Sequence, residues 1–363
     1  MTKGNETSLL IRFSLPMLFG NVFQQFYNMV DSIVVGNYVG KNALAAVGMT
    51  SSLTFFYFAL CNGFATGAGV LMSQYFGMKN EKRVKDALGN SIYLMLGMGI
   101  QVSIISVLLA EPTLRLLNTP ESIFDDALLY TRIVCGGVLA VVLYNGISAM
   151  LRALGDSVTP LIFLIIASIL NVIGDLLFVL VFHMGVAGVA VATILAQTLS
   201  ALGCIVYAVL KNPYFRLKRE NMKPDRILLM KCLRLGIPFG MQGSLIALSC
   251  IALQAVINRF GENVIAAFAA TSRIEQLVQQ PYNSLGTAVA TFTAQNLGAG
   301  NIERVKRGYQ RSTMLVVVFS LVMCAAMFLW GGPFVGIFVV MPKSLQSAAV
   351  QSVLRVCFIY HLA

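Results

Sequence analysis

The chain has 363 residues, 57% of them hydrophobic and only 11% charged, with a mean hydropathy of +0.78. Soluble domains carry roughly 25% charged residues, so the composition excludes a water-soluble fold and predicts a polytopic membrane protein. The formal net charge of +11 lies in basic runs that flank apolar stretches without interleaved aromatics, which argues against nucleic-acid binding.

A spanning helix needs roughly 20 mostly apolar residues. Ten such segments are predicted, at 13–36, 43–76, 87–109, 123–151, 158–182, 185–210, 228–259, 262–294, 308–330 and 346–363. Several exceed the bilayer thickness and should tilt or project from it. Helices are expected because backbone groups in hydrocarbon must be satisfied within their own segment; the short alternating strands of a β-barrel are not seen. The N-terminus is polar through Ser8 and lacks a cleavable signal pattern, so 13–36 reads as a retained first span.

The first span carries Asn21, Gln24, Asn28 and Asp31 at helical spacing, with Gln25 and Ser32 adjacent. Such spacing puts polar groups on one helix face. That face either lines a transport pathway or hydrogen-bonds to other helices. Pro16 near its start removes a backbone hydrogen bond, which suits either bending during transport or a fixed kink. In the second span Gly63, Gly67 and Gly69 predict close helix packing. The fifth span places Asn171 and Asp175 four residues apart, on one face, and Thr193 falls early in the sixth. Spans one and five run in one direction and span six returns, so Asp31, Asn171, Asp175 and Thr193 fall at similar depth. An acid removed from water favours its neutral form, so such a pair can hold a proton until water or a cation arrives.

A polar connector at 211–231 follows, dividing a six-span lobe, 1–210, from a second lobe, 232–363, with four predicted spans. Span seven carries Pro238 in its first half and holds Gln242, Gln254 and Asn258 but no acid. Span eight contains Glu275 with Gln279 on its face, and Gln276, Gln280 and Asn283 alongside. Asp31, Asp175 and Glu275 are the acids well inside the spans, and intramembrane charges mark function or partnered structure. For Glu275, an ion pair with another helix is the competing reading. The end of the chain at His361-Leu-Ala, within an apolar segment, predicts two further spans missing from the second lobe.

The seven cysteines are scattered and form no CxxC or Cys/His cluster, and the two histidines, His183 and His361, are too few for a multi-histidine metal site. No phosphate-binding loop and no catalytic triad can be assembled, so an enzyme is not expected. Nineteen Lys and Arg residues flank the spans on one side, including Lys79, Arg152 and Arg304, against five on the other. The positive-inside rule then puts the N-terminus in the cytoplasm.

The chain also repeats itself. Gln74-Tyr-Phe-Gly-Met-Lys-Asn-Glu-Lys-Arg-Val-Lys85 returns as Gln295-Asn-Leu-Gly-Ala-Gly-Asn-Ile-Glu-Arg-Val-Lys306, and Gly40-Lys-Asn-Ala-Leu-Ala-Ala46 as Gly261-Glu-Asn-Val-Ile-Ala-Ala267. Leu15-Pro16 matches Ile237-Pro238 with a one-residue slip. A long-period repeat in a membrane protein predicts two homologous halves with a site between them. The expected fold is therefore all-α, with two pseudo-symmetric helical lobes and about ten transmembrane helices in this chain.

Six segments together resemble the multidrug and toxic compound extrusion (MATE) transporters. They are Leu15-Pro16, Asp31-Ser-Ile-Val-Val-Gly36, Leu151-Arg-Ala-Leu-Gly-Asp-Ser-Val-Thr-Pro160, Asn171-Val-Ile-Gly-Asp-Leu-Leu-Phe178, Gly188-Val-Ala-Val-Ala-Thr193 and Gln295-Asn-Leu-Gly-Ala-Gly300. The resemblance covers essentially the whole chain. It implies a plasma-membrane antiporter that exports small organic cations and drugs against a proton or sodium gradient by alternating access, from a family fold of twelve spans. It implies coupling-ion roles for Asp31, Asn171, Asp175 and Thr193, a set that would also hold sodium, and no other cofactor. Gln24, Asn28, Met29, Glu275, Gln279 and Tyr282, with Phe23, are the expected substrate pathway, and Pro16 and Pro238 the bending points. A monomer in the lipid bilayer is expected. Some family members carry an acid in span seven; this chain does not, which weakens the expectation of a second-lobe ion site of that type. The alternative is a flippase for lipid-linked oligosaccharide or polyisoprenoid, which calls for a strongly cationic central cavity.

Overall fold

The computed structural model describes residues 1–257 and 262–338. The predicted span 346–363, with Arg355 and His361, lies outside the described residues, as do Asn258, Arg259 and Lys343 and the side chains of Gln254 and Arg273. The described residues are all-α: 90% of them are helical, and no strand occurs among them.

Ten helices follow in order: α1 Glu6–Val34, α2 Lys41–Gly77, α3 Glu81–Leu116, α4 Glu121–Gly136, α5 Val138–Ala153, α6 Val158–Leu176, α7 Gly185–Lys211, α8 Arg226–Ile257, α9 Glu262–Gly298 and α10 Ile302–Phe338. Side-chain oxygens start several of them by accepting orphan backbone N–H groups. Asn5 Oδ1 accepts from the Ser8 amide, Asn80 Oδ1 from Arg83, Asp156 Oδ1 from Thr159 and Asp225 Oδ1 from Ile227. The Asp225 cap makes α8 begin at Arg226, inside the expected 211–231 connector.

By length and hydropathy, α2, α3, α6 with the π-helical turn that follows it, α7 and the first 25 residues of α10 qualify as membrane spans, and α4 with α5 makes a sixth. The predicted span 123–151 is thus a bent pair, broken by 44°. The break falls at Gly136-Gly137, where the helix is weakest. A side chain at Gly137 would collide with Ile194 of α7, so the kink brings α5 against its neighbour.

The first lobe packs α2, α3, α4, α5 and α7 around one apolar core that includes Leu71, Met72, Leu88, Met95, Val138, Met150 and Cys204. The connector is docked rather than loose. Its residues form two short 3₁₀ turns, Pro213–Phe215 and Arg219–Met222, laid against the start of α3. Asn90 Nδ2 donates to the Lys223 carbonyl, Asn221 Nδ2 donates to Asp86 Oδ1, and the Asp225 amide donates to Asn90 Oδ1. Gly89 leaves room for the Asn221 carbonyl.

The lobes meet through two crossings. Gly63 and Gly67 of α2 press against Gly240 and Gly236 of α8, with backbone where side chains would otherwise stand. This is the small-xxx-small packing expected in membranes, where close van der Waals approach replaces the hydrophobic effect. Gly69 plays the same part against Ala149 of α5. The related crossing of α1 and α9 is more polar, with Asn21 Nδ2 donating to Ser284 Oγ at 3.2 Å.

The sequence repeat is also a repeat of backbone geometry. Lys79 and Gly300, its counterpart, both take positive φ, +55° and +74°. The turn after α2 is closed by bonds from Met78, Lys79 and Asn80 N–H to the Gln74, Phe76 and Tyr75 carbonyls; Ala299, Gly300 and Asn301 bond to Gln295, Leu297 and Asn296 in the same pattern. These bonds satisfy the last carbonyls of each helix. The matched arginines behave alike too. Arg83 pairs with Asp225 just before α8, and Arg304 pairs with Glu6 at the start of α1, at 3.4 and 3.1 Å. Each half therefore ties the start of its third helix to the start of the other half's first helix.

Candidate functional site

Asp31 lies on the last turn of α1 and Asp175 on the last turn of α6. Each helix then passes into a π-helical turn, Val35–Val39 and Leu177–Val181. Wide turns of this kind recur at functional sites. The two turns pack together through Val34, Val35 and Val179, with Val186 and Val189 of α7, and so place a valine collar beyond the acids. α1, α6 and α7 bring Asp31, Asn171, Asp175 and Thr193 into one neighbourhood.

Asp175 is fully buried and Asn171, one turn earlier, is 3% exposed. Asn171 Nδ2 donates to Thr193 Oγ1 at 3.3 Å, and that hydroxyl donates to the Val189 carbonyl. The two carboxyl groups are close enough to interact directly. Asp31 Oδ1, both Asp175 oxygens and Asn171 Oδ1 are buried without a hydrogen-bond partner. A cluster of acceptors turned inward with no donor is what a proton or a small cation would satisfy.

Three residues of this site were missed from sequence. Tyr27 interacts with Gln24, Asp31, Asp175 and Gln197, and Tyr130 of α4 lies beside Asp31, Tyr27 and Asp175. Gln197 of α7 leaves its Oε1 buried and unpartnered. Tyr27 was legible in principle, being four residues before Asp31 and three after Gln24. Tyr130 and Gln197 come from other helices, and only packing selects them.

The remaining candidates scatter. Gln24 and Pro16 line a cavity of about 280 Å³ between α1, α2, α5, α6 and α9, while Asn28 and Met29 are exposed on α1, as is Phe23. Glu275 accepts from Gln279 Nε2 at 3.0 Å on its own helix. The Tyr282 hydroxyl lies 2.8 Å from Ser320 Oγ and its ring stands edge-on to Phe319, so it is turned toward α10. Pro16 and Pro238 both sit inside continuous helices.

The MatE family profile matches residues 16–177 and 238–363, one match for each half of the repeat. The chain belongs to the MatE family. These proteins are transporters, not enzymes. This MatE chain is 35% identical over 305 residues to the probable multidrug resistance protein YpnP of Bacillus subtilis, across 84% of its own length and 68% of that relative. It is 30% identical to YoeA of the same organism, also a probable multidrug resistance protein, across 93% of the chain and 74% of the relative. Its fold matches a MOP superfamily transporter from Pyrococcus furiosus with a TM-score of 0.91 at 23% identity, over 100% of this chain and 81% of that one. The two-lobed, multi-pass membrane architecture is thereby shown.

Proposed function

We propose that this chain exports small amphipathic organic molecules, cations among them, across the plasma membrane, exchanging them for a proton or sodium ion by alternating access. The observation that carries the reading is the pairing of half-buried Asp31 with buried Asp175, three of whose four carboxyl oxygens are buried without a donor. Two carboxylates in one dry pocket repel, so the site is at rest only with a proton or a cation in it. The names of the relatives, probable multidrug resistance proteins, supply the substrate class.

Occupation of the site draws α1 and α6 together through Asp31 and Asp175. Asn171 and Thr193 hold Asp175's helix against α7, and Tyr27 and Gln197 extend the polar network toward the cavity between the lobes. Ion binding from outside thus repacks α1, which also lines the cavity through Pro16 and Gln24, and weakens substrate held there. Release of the ion inward resets the cycle. A gradient does this work only through the difference in ion affinity between the two states. Glu275, Gln279, Asn28, Met29 and Tyr282 belong to the substrate path in this reading, and Pro16 and Pro238 are its bending points. The basic turns face the cytoplasm, with the N-terminus, and the transporter works as a monomer. A flippase of lipid-linked sugars would need several cations in the cavity; its described lining holds one, Arg152.

The test is gradient-driven efflux from vesicles, with proton and sodium gradients imposed separately, for the parent protein and for Asp31→Asn and Asp175→Asn. Each variant should lose gradient-driven efflux by at least about tenfold, the effect expected when a buried ion loses a charged ligand. Unimpaired coupling in both removes the proposal.

A further inference from the structure

We infer that the 280 Å³ cavity toward the basic end of the first lobe binds the carboxylate of a small organic molecule, with Arg152 as its anchor. This deepens the transport reading above and rests on it, since it names a chemical group that the cavity selects.

Arg152 leaves the last turn of α5 and lines the cavity. Among the described residues it has no ion pair and no hydrogen-bond acceptor. The ion pairs of the structure use Arg83, Lys85, Arg115, Arg132, Arg304, Lys306 and Arg307 instead. No Asp or Glu lines the cavity. Its other polar groups are neutral, among them Gln24, Asn62, Asn145, Ser284 and Thr287. The nearby Tyr144 hydroxyl is already committed to the Pro160 carbonyl at 2.8 Å.

A guanidinium cannot shed its proton, and its planar fork matches a carboxylate with two parallel hydrogen bonds. Taken from water without a counter-charge it is costly. The carbonyl end of α5 offsets that cost only in part. The amides and hydroxyls around it add donors for an oxyanion but no charge against a cation. Field strength in this low-dielectric setting therefore favours an anionic group over an ammonium at the Arg152 end of the cavity, and a cationic substrate held there would turn its charge away from Arg152. The volume is close to the lower end of small-molecule pockets, roughly 300 Å³, and so admits a carboxylate with one or two rings. The lobe then carries opposite signs at two places: acids behind the valine collar and a cation in the cavity. A zwitterionic substrate would meet both.

The test is equilibrium binding of three probes to the purified protein in nanodiscs, with no ion gradient: 2-naphthoate, its methyl ester and 2-naphthylmethylammonium. Naphthoate should bind more tightly than the other two. Arg152→Gln should weaken naphthoate about tenfold or more, the loss of a charge-assisted hydrogen bond, and leave the ester within about twofold. Arg152→Lys should retain an intermediate preference for naphthoate. Phenylglyoxal modification of the parent protein, read by mass spectrometry on the peptide holding Arg152, needs no variant: naphthoate should protect that residue and the ester should not. Equal binding of the three probes, equal weakening of all three in Arg152→Gln, or no protection by naphthoate overturns the inference. Because no gradient is present, failure of ion coupling in the Asp31 and Asp175 variants leaves this result unaffected, and the two readings fail separately.

Discussion

The acceptors gathered around Asp175 come from residues whose sequence spacing already aligned them. Asn171 and Asp175 share a face because they are four apart on α6, and Asp31 was marked by the cost of an acid in an apolar span. What spacing did not reveal is that Tyr130 lies within electrostatic range of both acids and that Gln197 reaches Tyr27, because a tyrosine or glutamine in a span has many bland uses. Spacing did put Gln279 on the face of Glu275, and the two are joined by a hydrogen bond within their own helix. At the opposite end of α1, Glu6 accepts from Arg304 at 3.1 Å and pairs with Arg307, while the Met1 ammonium donates to Gln295 Oε1 at 2.6 Å. The hydrogen bond from its own backbone N–H, followed by the charges of Arg304 and Arg307, holds the Glu6 carboxyl below the usual carboxylate range against the opposing pull of burial. A group with a depressed value in the folded state contributes stability above its unfolded value, here 4.5, and loses it as pH falls through the folded value. The hydrogen-exchange protection factors of residues 1–5, each taken against the intrinsic rate at the same pH, should therefore stay high at neutral pH and fall as pH drops below about 4.5. Glu6→Gln should show the low protection already at pH 7; equal protection in parent and variant at both pH values would refute the ionic strap.

At the scale of the elements, glycine does two different jobs. Gly63, Gly67, Gly236 and Gly240 let α2 and α8 touch backbone to backbone, and Gly137 lets the α4–α5 break nest against α7. Packing by Gly63, Gly67 and Gly69 was legible from their spacing, but the partner helix was not, since a small-residue face says what it needs without saying where it is. Bending of span 123–151 was not legible either: Gly136-Gly137 in an apolar run is consistent with a straight helix until Ile194 fills the gap. Gly67→Val forces branched carbons into the backbone of Gly236 and should cost at least ~1–3 kcal/mol. The expected result is a melting temperature in detergent several degrees lower and a larger aggregated fraction by size exclusion, whereas Gly48→Val, where nothing lies within 4 Å of an added Cβ, should behave like the parent. Matching melting curves for the two variants would mean that the crossing is looser than described.

Over the whole molecule, the repeated Gln-x-x-Gly segments turn out to face each other. A Cβ on Gly77 would strike the Gln295 carbonyl, and one on Gly298 would strike that of Gln74. Gln295 also donates to the Ala153 carbonyl at 2.8 Å, so the basic ends of the two lobes are clasped. Substituting Gly77→Ala or Gly298→Ala should push α2 and α9 apart there. An overpacking cost of ~1–3 kcal/mol corresponds to a shift of roughly 5- to 150-fold between a closed and an open state. Spin labels at Lys79 and Ala299, in a background without native cysteines, should show a single short distance in the parent and a longer population in either variant; an unchanged distribution would sink the idea that this contact holds the two lobes together.

Sequence by itself determined the membrane setting, the helices and the halves of the repeat, because these follow from hydropathy, helical period and self-similarity along the chain. Tertiary structure alone decided which faces meet: that the two copies of the repeat contact one another, that the connector docks on α3, that Tyr130 and Gln197 join the acids, and that Arg152 stands in a cavity with no counter-charge. Each of these depends on how helices distant in sequence cross, and a crossing is set by the shape of two surfaces at once, which neither surface specifies alone.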